Sequence, residues 1–187
     1  MNDIIYIKLF ILLYNNYSNA FIIISKKENC MRIIIDGDAC PQRVKEICEI
    51  AAREFGVELI IVVDMDHYIT SDYEIIVVEQ ERESVDYKIV QIFKEGDILV
   101  SQDYGLSSLV LGKAAAIIHT AGFFINKNNI DSLLQSRYIS GKIRKQGGRT
   151  KGPSKRKKEQ DDNFRKCLYK VLNEKLGKKI KKVDSEY

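Results

Sequence analysis

Two carboxylates one residue apart, Asp36 and Asp38, close the apolar run Ile33–Ile35 and stand just ahead of Pro41, where an amphipathic pattern begins. Oxygen donors at a strand end converge on one point and suit a hard cation. Mg²⁺ takes one or two protein carboxylates and completes its octahedron with water and phosphate. The structural alternative is that Asp38 caps the helix opening near Pro41, which leaves Asp36 unexplained. Asp103 follows the apolar run Ile98–Val100 by a few residues and should emerge on the same sheet edge, unless it caps a helix containing Leu106. Asp86 falls in a first helical turn after Ser84, where the helix dipole favours an acid. It also shares a face with Ile89, Val90 and Phe93, so it points toward the sheet, and an acid there needs a partner.

The elements that would position these acids alternate in type. Val44, Ile47, Cys48, Ala51 and Phe55 recur at helical steps, with Pro41 at the first turn and Gly56 just past the end. Leu59–Val63, Ile75–Val78, Ile98–Val100 and Ala115–Ile118 read as buried strands, and Val85–Phe93 and Leu106–Leu111 as helices. Another helix begins over Asn128–Leu134, and a last one runs from about Asp161 to Leu176 with Phe164, Cys167, Leu168, Val171 and Leu172 on one face. This alternation predicts a three-layer αβα fold around a mainly parallel sheet. Ligands of such sheets collect in the crevice outside the carboxyl ends of the strands. The strands before Asp36 and Asp103 are therefore expected side by side.

The 187 residues suffice for one ordinary domain, and 45% hydrophobic with 30% charged residues is the balance of a globular protein. Cys30, Cys40, Cys48 and Cys167 form no CxxC pair and the two histidines, His67 and His119, lie far apart, which argues against a zinc site or a disulfide framework and for a reducing cytoplasm. Cys40 reads as a packed thiol, and neither histidine is assigned a role. Residues 1–30 lack periodicity; their apolar core is broken by Lys8, Asn15 and Asn16 and is too short for a membrane span. Lys26-Lys27-Glu28 can be encoded by a ribosome-binding sequence with Asn29 and Cys30 as spacer, so Met31 is the expected native start, with 1–30 an extension.

Charge is distributed unevenly. From Arg137 to Lys158, ten lysines and arginines follow without an acid until Glu159, and Gly147, Gly148, Gly152 and Pro153 interrupt regular structure. The expected organisation is an α/β domain over 31–141, a basic flexible segment over 142–160, and a C-terminal helix and tail over 161–187. Such a run favours a polyanion, with Arg137, Arg144, Lys155, Arg156, Lys157 and Lys158 as the phosphate-binding candidates; the plainer account is a solvated tail.

At these residues the chain resembles the YaiI/YqxD family of small bacterial proteins with a PIN-like nuclease fold. The resemblance is carried by Asp36-Gly-Asp-Ala-Cys-Pro41, by Asp86 before Tyr87-Lys88-Ile89, and by Gly96-Asp-Ile-Leu-Val-Ser-Gln-Asp-Tyr-Gly-Leu106. Asn129-Ile130, Arg137, Ile143-Arg144 and Gly152-Pro153 extend it. Gly37, Glu83 and Tyr104-Gly105 depart from the usual residues without removing an acid. PIN-like membership implies that Asp36, Asp38, Asp86 and Asp103 bind Mg²⁺ or Mn²⁺ for phosphodiester cleavage, with nucleic acid, RNA before DNA, as the partner. Two alternatives stand beside this. In a haloacid-dehalogenase-like phosphatase Asp36 would be the nucleophile, Asp38 the acid/base and Ser101 a phosphate contact, but the lysine and later acid pair it needs are poorly matched. In a non-catalytic nucleic-acid-binding protein the acids would be structural and the basic segment functional.

Overall fold

The computed structural model describes residues 31–38, 40–66, 70–79, 84–147 and 155–177. The segment 1–30, His67, Glu83, Gly148, Lys151, Gly152 and Pro153 lie outside them.

Among the described residues six strands form one sheet: β1 (Arg32–Asp36), β2 (Glu58–Asp64), β3 (Glu74–Val78), β4 (Ile98–Val100), β5 (Ala116–His119) and β6 (Phe123–Ile125). Their order is β3-β2-β1-β4-β5-β6, parallel except for the antiparallel β5–β6 pair. The chain winds outward from β1 through β2 to β3, then crosses back to β4 on the other side of β1. The switch between β1 and β4 is where the fold opens a crevice.

Among the described residues five helices cover the sheet: α1 (Gln42–Phe55), α2 (Ser84–Ile92), α3 (Tyr104–Val110), α4 (Ile130–Lys145) and α5 (Lys158–Leu176). The strand pleat sorts the core. Ile33 and Ile35 face α1 and α5, packing with Val44, Ile47, Cys48, Phe164 and Leu168. Ile34 faces the opposite layer with Val85 and Ile89 of α2, Leu106 and Val110 of α3, and Ile130 of α4. The fold is thus three-layered, and both faces of β1 are fully buried.

At the amino end of the sheet, Arg32 Nε donates to Asp97 Oδ1 at 3.1 Å and its Nη2 to the Ile92 carbonyl at 2.7 Å. This buried pair joins the start of β1 to the turn before β4, and so fixes the register of the two strands whose other ends carry the acids. Three elements differ from the sequence reading. β6 is a three-residue strand after the Gly122 turn (φ +87°), too short for any periodicity to show. The helix begun near Asn128 continues to Lys145, so Lys142, Arg144 and Lys145 form its last turn, where cations suit the helix dipole. α5 likewise starts at Lys158, three residues ahead of the expected Asp161.

Candidate metal centre

Ile35 pairs with Val100 in register, so Asp36 and Ser101 leave the sheet side by side. Asp36 is buried, and its Oδ2 accepts the Ser101 hydroxyl at 2.8 Å. Ser101 Oγ in turn accepts the Asp103 backbone N–H at 2.8 Å. With that lone pair occupied by an N–H, the Ser101 proton is directed to Asp36. Burial, first, and then the charges of Asp38 and Asp103 raise the Asp36 pKa, opposed by the Ser101 hydroxyl and a backbone hydrogen bond from Asp38. The sequence suggests Ser101 only as a phosphate contact; its position between a strand end and an acid is the available signal for its real partner.

Asp38 is not a helix cap. α1 begins after Pro41 without a side-chain cap, and Asp38 Oδ1 instead accepts the Asp64 N–H at 2.8 Å across the end of β2. The intervening Gly37 is buried and donates its own N–H to the Val62 carbonyl at 2.8 Å. The turn carrying both acids is thereby fixed to β2 at two points.

Asp103 does cap its helix. Its Oδ1 accepts the N–H groups of Gly105 at 2.6 Å and Leu106 at 3.1 Å, satisfying orphan donors of α3. Its Oδ2 accepts from Arg137 Nη1 of α4 at 2.7 Å. Burial pushes this carboxyl up, but the Arg137 hydrogen bond and charge with the two cap N–H groups outweigh it and hold the pKa below the ordinary value. Asp86, half-buried in the first turn of α2, lines one cleft with Asp103 and Arg137; the cleft measures about 550 Å³. A second depression of about 390 Å³ over β5 and β6 is lined by none of the four acids.

Among the described residues no three His, Cys, Asp or Glu side chains already stand as a metal-binding group. The donor chemistry nevertheless fits a hard cation at the β1 end. Asp36 and Asp38 offer carboxylate oxygen only, and the negative charges crowding Asp36 are what a divalent ion would relieve. Asp103 fits less directly, because both of its oxygens already accept hydrogen bonds.

Cys40 is buried and its thiol is pushed up to about 12 by desolvation, as expected of an inert packed cysteine. Cys40, Cys48 and Cys167 are free thiols. His119 ends β5, stacked on Phe123 with ring centroids 4.5 Å apart, and its Nδ1 accepts the Ala121 N–H at 3.0 Å. Burial, aided by the charge of Arg156, lowers its pKa to about 4.

The basic candidates divide. Arg144, Lys155, Lys157 and Lys158 are exposed. Arg137 is committed to Asp103, and Arg156 is committed twice, through Nε to Asp161 at 2.7 Å and through Nη2 to the Thr120 carbonyl at 2.7 Å.

The arrangement defines a doubly wound α/β protein with Asp36 buried at the topological switch point. The chain matches the family described as "Uncharacterized BCR, YaiI/YqxD family" over residues 34–174. It is 48% identical over 150 residues to the UPF0178 protein of Clostridium kluyveri, covering 79% of this chain and 97% of that one. The UPF0178 protein of Enterococcus faecalis is 41% identical over 150 residues, 78% of this chain and 100% of the relative. That of Clostridium tetani is 48% identical over 149 residues, 79% and 98%. The chain belongs to the YaiI/YqxD family. No solved structure matches it. Among the described residues no helix is long and apolar enough to cross a membrane.

Proposed function

We propose that this protein is a PIN-like, Mg²⁺- or Mn²⁺-dependent nuclease of the cytoplasm that hydrolyses phosphodiester bonds of nucleic acid, RNA before DNA. The observation that carries the reading is Asp36, buried at the β1–β4 switch with Asp38 and Asp103 adding negative charge to it. Such a carboxylate costs stability, and a cation offsets that cost. Asp36 and Asp38 are the residues that would hold the ion, with Asp86 and Asp103 facing the substrate cleft beside it. A bound divalent ion supplies Lewis acidity and a water of lowered pKa. Ser101 orients Asp36 through its hydroxyl and keeps that carboxylate turned to one position. The exposed Arg144, Lys155, Lys157 and Lys158 supply sequence-independent attraction for the phosphate backbone.

The test is a pair of measurements on Asp36→Asn, Mn²⁺ titration by calorimetry and cleavage of a fluorogenic oligonucleotide. Both Mn²⁺ affinity and cleavage should be lost, while binding of the uncleaved oligonucleotide in chelator is retained. Full activity in Asp36→Asn overturns the reading.

One observation favours a second reading, a nucleic-acid-binding protein without catalysis. Asp103 accepts hydrogen bonds on both oxygens, as a helix cap and as the partner of Arg137, which is structural use of an acid. Salt-sensitive binding indifferent to chelator, with no turnover in Mn²⁺, would select it. The phosphatase alternative draws less support, since the buried Ser101 donates its hydroxyl to Asp36.

A further inference from the structure

The cleft between α2 and α3 carries apolar surface as well as charge. Tyr87, in the first turn of α2, is 71% exposed, and Leu109, near the end of α3, is 67% exposed; both line this cleft with Asp103 and Arg137. Large apolar side chains left in water on one cleft mark a surface that meets a partner. Neither belongs to either hydrophobic core. The cleft also has a cationic continuation. Arg137 uses Nη1 on Asp103, and a guanidinium has five N–H donors, so others remain to meet a phosphate. Arg144 stands seven residues further along α4, on the same face two turns on, at about 10 Å along the axis.

We propose that this cleft is a nucleobase subsite: one unstacked base lies against Tyr87 and Leu109 while its backbone follows Arg137 and Arg144. The substrate is then single-stranded nucleic acid, because a duplex keeps its bases stacked and offers no free face. The subsite rests on the nucleic-acid part of the proposed function, and on neither the metal nor cleavage. Its base contact is neutral, which separates it from the lysines: a stack releases no counterions, so it adds affinity without adding salt dependence.

The experiment is fluorescence anisotropy of a labelled single-stranded oligonucleotide in EDTA across a salt series, beside its duplex and an abasic strand of equal length. Tyr87→Ala should weaken single-strand binding about tenfold with the salt slope unchanged. Tyr87→Phe should bind as the parent protein does, Leu109→Ala should lose less than Tyr87→Ala, and Arg144→Gln should flatten the salt slope. Duplex and abasic strands should bind Tyr87→Ala and parent equally. Unchanged single-strand affinity in Tyr87→Ala, or an equal loss on the abasic strand, overturns the subsite. So does a Tyr87→Ala protein that sediments as a smaller species than its parent, since the exposed pair would then be a contact between copies. Binding through Tyr87 without cleavage in Mn²⁺ supports the subsite and removes only the nuclease reading. Cleavage that depends on Asp36 but is indifferent to Tyr87 removes only the subsite. Absence of any nucleic-acid binding removes both.

Discussion

Asp36 and Asp103 are displaced from ordinary carboxylate behaviour in opposite directions, and the signs have different consequences. The Asp36 pKa is raised in the folded protein by burial and by Asp38 and Asp103, so the native state holds its proton to higher pH than the unfolded chain. Its ionised form costs stability above the folded pKa, and that cost disappears as pH falls below the unfolded value. Asp103, held below its ordinary value chiefly against burial by Arg137, stabilises above the unfolded pKa and loses that contribution as pH falls through the folded one. Asp36→Asn should therefore raise stability at pH 7–8 by about 1 kcal/mol, or about 2–4 °C in melting temperature. The gain should shrink toward acid pH, where the parent carboxyl is protonated too. Mn²⁺ should raise the melting temperature of the parent and leave the variant unmoved. Thermal melts across pH, with and without Mn²⁺, check both; a variant less stable at pH 8 than its parent would show that the Asp36 charge is structural. The sequence could propose these acids from their types and their strand ends. It also offered the α3 cap for Asp103, which the structure forms, but for Asp38 its structural alternative was a cap for α1, because the backbone N–H of Asp64 that Asp38 serves has no residue-type signature.

At the level of elements, β1, β2 and β4 were legible because burial on both faces demands continuous apolar runs, and these strands have them; β3, at the sheet edge and partly exposed, was legible from its β-branched run alone. Helix α1 was legible from its three- and four-residue spacing between Pro41 and Gly56. Legibility failed where packing is weak: only Ile130 of α4 is buried, so its later turns carry no apolar stripe to read. Gly37 is a further instance, since nothing in sequence tells how near β2 passes. A β-carbon there would lie 2.4 Å from Val63 Cγ1 and 2.9 Å from the Val62 carbonyl oxygen, and the latter is held by the Gly37 N–H itself. Gly37→Ala should cost about 1–3 kcal/mol by overpacking and weaken Mn²⁺ binding, because the displaced turn carries Asp36 and Asp38. Val63→Ala should relieve part of the strain, giving a favourable coupling of about 1 kcal/mol in a double-mutant cycle by chemical denaturation. Strict additivity would show that the turn moves freely and that the close approach to β2 does not set the acid geometry.

Across the whole molecule, the basic stretch that composition marks as one unit is split by the fold into anchors and surface. Arg156 ties the approach to α5 to the β5–β6 turn through Thr120, and to the first turn of α5 through Asp161. Gln160 Oε1 then accepts the Lys157 N–H at 3.0 Å, and the buried Phe164 helps seat α5 against α1, β5 and β6. Lys155, Lys157 and Lys158 extend into solvent beside this anchor. Neutralising all four cations together would therefore confuse folding with binding. Arg156→Gln should lower stability by about 1.5–3 kcal/mol, the range for hydrogen bonds made by a charged group, and should raise the depressed His119 pKa, since Arg156 contributes to holding it near 4. It should leave the salt dependence of nucleic-acid binding nearly unchanged. Gln at Lys155, Lys157 and Lys158 should do the reverse, leaving the melting temperature alone and flattening the salt slope by about 2, or about 0.7 for each single-strand phosphate that is no longer neutralised. Thermal melts, an NMR titration of His119 and an anisotropy salt series separate the two variants. If the triple-lysine variant keeps the parent slope, these lysines are solvated surface, and the phosphates must be met from α4 through Arg137 and Arg144.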